Sequence, residues 1–303
     1  MPKITLKISK SIFYVFSIII AISIVIISIE LLGIYNNYLW KVNTKEKAEA
    51  KLNGLVNKIQ KVIFSIEQIP QNLAYVLEFS NPKQEHLELL LNAIVANNDE
   101  VFGTCIAFEP GAYHKDTLFY APYFYKKDGK IVEDNPSDTN YNYFSMDWYL
   151  IPKTLNKPVW LEPYYDEGFS DGDMVLSTYS VPFYYFNGQS EKMTGIVSVD
   201  ISLEWLSKMI LSTMLTDGSY SFLISDNGTV ISAPNPQWLY NESIYSLAEI
   251  KKLPVLREIG RDLKNGKSGF VDVGSFGTRK KWWIFYKPIP ANNWGVLLLV
   301  PQG

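Results

Sequence analysis

From Trp160 to Tyr185 the chain reads WLEPYYDEGFSDGDMVLSTYSVPFYY, with Glu162, Asp166, Glu167, Asp171 and Asp173 set among aromatic residues. Acids this dense admit three chemistries. Two of them could flank a glycosidic bond. With aromatic faces beside them, they could hold a cation. They could also form a solvated loop. Spacing along a loop does not fix separation in space. The chain has only 2 His, and neither His86 on a predicted helix nor His114 in a loop belongs to a recognisable Ser-His arrangement. Catalysis is therefore disfavoured, and the chain is expected not to be an enzyme. With 2 His and 1 Cys, a Cys/His zinc site is nearly excluded, and no cofactor is expected.

Bulk properties narrow the partners. The 303 residues are 47% hydrophobic and 19% charged, enough for one large domain or two modest ones with real cores. The net charge of -3, with no basic stripe, argues against nucleic acid. Aromatics make up 15% of the chain, and packing is the ordinary use of most of them. The lone Cys105, in FGTCIAFE, reads as a buried small hydrophobe and excludes an intrachain disulfide.

The elements that must position these residues begin with an apolar run. Ser11 to Ile29 carries no charge, and with Leu31 to Tyr35 it is long enough to cross a bilayer as a helix. Lys3, Lys7 and Lys10 precede it, which places that end in the cytoplasm and the main domain outside, at the plasma membrane. A cleaved signal peptide is the rival, but the run is long for one and no small-x-small cleavage site follows. Leu52, Leu55, Val56, Ile59, Val62, Ile63, Ile66 and Ile69 then recur at helical steps, resuming at Leu73, Val76 and Leu77 after Pro70, which should kink or interrupt the helix. A second helix is expected over 82–97 and an amphipathic one over 203–215.

From Val101 the texture is that of short strands, with a hairpin turn at KDGK, 127–130. A smaller unit follows TDGS: a strand pair around DNG, two short helices between Ser243 and Lys264, another hairpin and a last strand. The fold class is α+β, with antiparallel sheets flanked by helices. In the Trp282-Trp283 pair, strand alternation predicts one core and one exposed ring.

WLEPYYDEG, STYSVPFYY, GIVSVDISLEWL, SYSFLISDNGTVISAPN, SLAEI and YKPIPANNWGVLLLVP, in that order, resemble the double Cache family of extracytoplasmic bacterial sensor domains. The wording is closest to sensors of sporulation-type serine phosphatases, and to related histidine kinases and chemotaxis receptors. The resemblance implies two PAS-like modules on a long N-terminal helix. The expected layout is a cytoplasmic tail at 1–10, a transmembrane helix at 11–35, a stalk helix at 36–80, a membrane-distal module at 81–212 and a membrane-proximal module at 213–303. The output module implied by the family is absent from these residues, so the chain is expected to be a fragment or to lack an output.

In family members that bind amino acids, the resemblance implies a distal pocket built from a Tyr, an Arg two residues before a Trp-Tyr pair, a Tyr-x-Asp and a later Asp on a strand. The matching residues here are Tyr141, Trp148, Tyr149, Tyr164, Asp166 and Asp200, with Met146 in the Arg position. A ligand carboxylate wants a bidentate cation, and Met cannot supply it. The carboxylates and aromatic faces suit an ammonium. The expected ligand is thus a small amine or amino-acid-like molecule. Asp200 has a rival role as the cap of the 203–215 helix, and Trp148 and Tyr164 as plain core. The other readings are a surface binding or adhesion module for a protein partner and, less favoured, an extracellular hydrolase. A homodimer through the exposed part of the stalk is left open.

Overall fold

The computed structural model describes residues 10–135, 141–165, 174–186, 191–212, 218–275 and 281–302. Helix α1 runs over Lys10–Phe79. Its N-terminal part holds an 18-residue window of mean hydropathy 2.8 with none of it buried, so it is long and apolar enough to cross a membrane. Pro70 lies inside the helix without ending it. The lost backbone bond is offset because Leu73, Ala74 and Leu77 are buried beyond it, on the same stripe as Leu52, Val56, Ile59, Ile63 and Ile66. Val76 departs from the expected stripe and is exposed. Helix α2 covers Gln84–Asn97.

The first sheet has seven strands among the described residues, ordered β3-β2-β1-β7-β6-β4, with β5 also on β6. Its strands are β1 (Val101–Phe108), β2 (Tyr123–Lys127), β3 (Lys130–Asp134), β4 (Val159–Trp160), β5 (Tyr164–Tyr165), β6 (Val175–Phe186) and β7 (Glu191–Ser202). The predicted turn at 127–130 joins β2 and β3 through Asp128 and Gly129, both at positive φ, as a tight hairpin requires. Helix α3 (Asp147–Leu155) follows a 3-10 turn at Tyr143–Ser145, and α4 covers Leu203–Leu211. The α4 cap is Ser202, whose side chain accepts from the Glu204 N–H, so Asp200 is not the cap.

The second sheet is ordered β10-β11-β12-β8-β9. Its strands are β8 (Tyr220–Ile224), β9 (Val230–Ser232), β10 (Gly269–Ser275), β11 (Lys281–Pro288) and β12 (Gly295–Pro301). Helices α5 (Ile244–Ile250) and α6 (Val255–Lys264) cover one face. In both sheets the first strand lies between the second and the last, and every pair is antiparallel.

Trp282 and Trp283 are both buried, at 6% and 1% exposure, contrary to the alternation expected. Both faces of β11 are covered. Trp282 packs in the cluster under α5 and α6. On the other face, Trp283 Nε1 donates to Asp272 Oδ2 at 3.3 Å, and Lys287 Nζ donates to Asn53 Oδ1 of α1 at 2.6 Å.

Candidate functional site

A cavity of about 700 Å³ opens over the first sheet. Its floor is made by neighbouring strands: Cys105 on β1, Tyr123 on β2, Leu176 on β6, and Ser198 and Asp200 on β7. Ser198 and Asp200 are two apart and so share one face of β7. Gly103 keeps that floor flat, since a Cβ there would meet the Tyr123 ring at 2.7 Å. The walls are Tyr141, the Ser145–Trp148 run with Ile151, and the Leu161–Tyr165 segment around β5.

Of the residues singled out by the sequence, Tyr141, Met146, Trp148, Tyr164 and Asp200 line this cavity. Tyr149 does not, and the expectation that it offers an aromatic face is corrected. It is fully buried, and its hydroxyl donates to Glu109 Oε1 at 2.5 Å. Burial, with Glu109 accepting from it, holds its phenol proton well above the usual range. The reason is α3, where the sequence showed only an aromatic block. Trp148 and Ile151, three apart, form the cavity stripe, while Tyr149 and Pro152 form the buried one. Adjacent aromatics on a helix cannot both face the same space. Asp166, with Glu167, Asp171 and Asp173, lies outside the described residues.

The polar groups form short chains. Tyr164 Oη lies 2.6 Å from Thr178 Oγ1, which donates to Asp200 Oδ1 at 2.7 Å. Asp200 is only 6% exposed. Its charge and burial together push the Cys105 thiol up, burial being the larger cause. Across the cavity, Trp148 Nε1 donates to Tyr141 Oη at 3.1 Å. Met146 precedes α3 with an extended backbone and presents no charge.

The charge pattern of the lining has one sign. Asp147, Glu162 and Asp200 are present, and no Lys, Arg or His is found among the described lining residues. Tyr123, Tyr141, Trp148, Tyr164 and Tyr165 supply aromatic surface. The lining thus sets carboxylates beside aromatic faces. Sequence reasoning missed Glu162 as a wall residue, treating it with the loop acids. It also missed Tyr123, Ser145, Asp147, Ile151, Leu161, Tyr165, Leu176 and Ser198. For Ser198 the signal was available: it stands two before Asp200 on a predicted strand. Cys105 is buried as expected, and it also lines the cavity.

Residues 87–208 match the family model described as the first PDC sensor domain of methyl-accepting-chemotaxis-protein-like receptors. Methyl-accepting chemotaxis protein McpC of Bacillus subtilis (strain 168) is 24% identical over 163 residues, 51% of this chain. The chain spans about a quarter of that relative's length, 24%. An extracellular domain attributed to the histidine kinase mmHK1S-Z2 superposes with a TM-score of 0.73 at 24% identity, covering 86% of this chain and 97% of that one. The ligand binding domain of the amino acid chemoreceptor PctC of Pseudomonas aeruginosa PAO1, in complex with GABA, gives a TM-score of 0.58 at 17% identity, over 85% of this chain and 99% of that one. These relatives are sensor domains of receptors rather than enzymes, and the cavity lies within the matched region.

Proposed function

We propose that this Cache-type sensor region belongs to a membrane-anchored bacterial receptor and binds a small organic amine in the cavity of its first module. The observation that carries the reading is the lining: Asp147, Glu162 and Asp200 with aromatic walls, and no cation among the described lining residues. Asp200 is the principal anion, being the most buried and held in place by Thr178. Trp148 and Tyr164 are the aromatic walls, Tyr141 positions Trp148, and Asp166 is a second anion by its place in the family pattern. The GABA bound by PctC has an ammonium group, which fits this scheme. An amino-acid ligand's carboxylate would find Met146 where a cation is needed, so amines are favoured over amino acids.

The apolar part of α1 is the anchor. The lysines at 3, 7 and 10 keep the N-terminus inside and the modules outside. The first module is membrane-distal, and its occupancy is passed on to an output module elsewhere in the receptor. Phe64, Tyr75 and Phe79 are exposed on one side of the stalk and offer a surface for a homodimer.

A thermal-shift screen of amines, amino acids and carboxylates tests the ligand class, because a ligand of the folded state raises its melting temperature. Amines should stabilise and simple carboxylates should not. Protease added to intact cells should digest residues 100–300, and their protection would refute the orientation. Sedimentation of the chain in detergent at rising concentration tests the dimer.

A further inference from the structure

The segment Val159–Tyr165 touches three parts of the molecule at once. Trp160 pairs with Tyr179 on β6, donates through Nε1 to Glu67 Oε1 of α1 at 2.8 Å, and lies 6.0 Å from the ring of Trp294 beside β12. Tyr165 lines the cavity and sits edge-on to Tyr240 of the second module, 6.2 Å between centroids. Between them Glu162 stands at both places. It lines the cavity. It also accepts from the Asn227 N–H at 3.1 Å through Oε1, and from Thr229 Oγ1 at 3.4 Å through Oε2.

Those two donors flank the turn between β8 and β9. That turn also seats a helix, since the Ile244 N–H, at the start of α5, donates to Gly228 O at 2.8 Å. Ile244 and Tyr245 of α5 pack directly against Gly228. Whatever frees or fixes the turn therefore acts on α5.

We propose that Glu162 is the residue through which occupancy of the first cavity is reported to the second module. The step from ligand to Glu162 rests on the reading of the cavity as a cation site. A ligand ammonium competes for the Glu162 oxygens with the Asn227 and Thr229 donors. A carboxylate has acceptor sites left beyond the two donors of the turn, so the competition is one of position: an ammonium that draws the Glu162 carboxylate towards the cavity lengthens its bonds to the turn. Coupling of this kind is reciprocal, so changing the turn must change the cavity. Glu162 is a positioning residue in this scheme, not the main anchor of the ligand.

Cys105 makes the reciprocal arm measurable without any ligand, because it lines the cavity and is the single Cys of the chain. In the full chain in detergent micelles, the rate of Cys105 modification by N-ethylmaleimide should change by roughly threefold or more in Thr229→Val and in Glu162→Gln, the order expected for one lost hydrogen bond. Ile284→Val, a loosening of the second core away from the turn, is the control and should leave that rate unchanged. With n-butylamine as the probe, hydrogen exchange at the amides of 227–230 should accelerate in the parent and not in Glu162→Gln, each measured at the amine concentration that calorimetry shows to saturate it. Failure of butylamine to bind counts against the cation reading and leaves the Cys105 arm to decide the coupling. The proposal is overturned if Thr229→Val leaves the Cys105 rate at the parental value. It is also overturned if Ile284→Val moves that rate as much, or if butylamine binds with the 227–230 amides unaffected.

Discussion

Both sheets set their first strand between the second and the last, yet the spaces beneath their helical covers differ in kind. In the first module the space is about 700 Å³ and carries Asp147, Glu162 and Asp200. In the second it is about 30 Å³, and Lys251 is the only charged residue among its described lining residues. Corresponding strands show how this arises. β7 lies beside the first strand of its sheet and turns Ser198 and Asp200 to the cavity. β12 holds the same place in its sheet and turns Leu297 and Leu299. α5 and α6 set Leu247, Leu256, Ile259 and Leu263 directly into the second core. α3 leaves room, because its cover is completed by the Leu161–Tyr165 segment rather than by a second helix. The fold supplies a shelf, and the residues on the shelf decide whether side chains or a ligand occupy it.

This contrast can be broken at several points. The largest effect belongs to the filled core. Ile284, fully buried beside the second cavity, should cost roughly 2–5 kcal/mol of stability as Ile284→Ala, read by denaturant unfolding. Trp148→Ala, in the half-buried wall of the first cavity, should cost clearly less stability and more ligand affinity. Equal stability losses would erase the distinction between the two sites.

Next comes Asp200→Asn, which should weaken amine binding roughly 30-fold, the cost of removing one partner of a buried charge pair. Calorimetry reads it, and unchanged affinity would return Asp200 to a structural role. Met146→Arg should sharpen the comparison in the other direction. It adds a guanidinium to an anionic lining and should shift preference toward α-amino acids over plain amines by about tenfold, near 1.4 kcal/mol.

The smallest effect is at Glu67, on the stalk. Burial raises its pKa above the ordinary 4.5, while the hydrogen bond from Trp160 pulls the other way. The folded state then holds this proton more tightly than the unfolded one. The stability it contributes as a neutral acid is present below the ordinary carboxylate value and is lost as pH rises through the raised one. Glu67→Gln should therefore stabilise modestly at neutral pH, with the gain fading as pH falls from the raised value to the ordinary one. Melting temperature against pH checks it, and a gain that grows on acidification would contradict the assignment.

Much of this was legible in the residues. The stalk stripe from Leu52 to Leu77, the hairpin at 127–130, and the helices α5 and α6 follow from period, turn chemistry and punctuation. Five of the seven residues picked for the site line one cavity, because family order located them even where single positions were ambiguous. Tyr149 was misplaced for want of α3: Tyr, Trp and Phe dominate that stretch, and aromatics hide helical period behind β propensity. Trp283 was misjudged because alternation assumes one wet face, and β11 buries residues on both of its faces. Glu162 was lost among loop acids, since its partners at Asn227 and Thr229 stand far along the chain and only the folded module brings them near.

Calorimetry reads the sign of the first cavity. n-Butylamine, 4-aminobutyrate and butyrate, each titrated into the full chain in detergent, share a four-carbon chain and differ in the charged groups at its ends. The account predicts that butylamine binds, that 4-aminobutyrate binds more weakly, and that butyrate does not bind, with Asp200→Asn reducing the first two. Butyrate binding as tightly as butylamine, or bound alone, would contradict it.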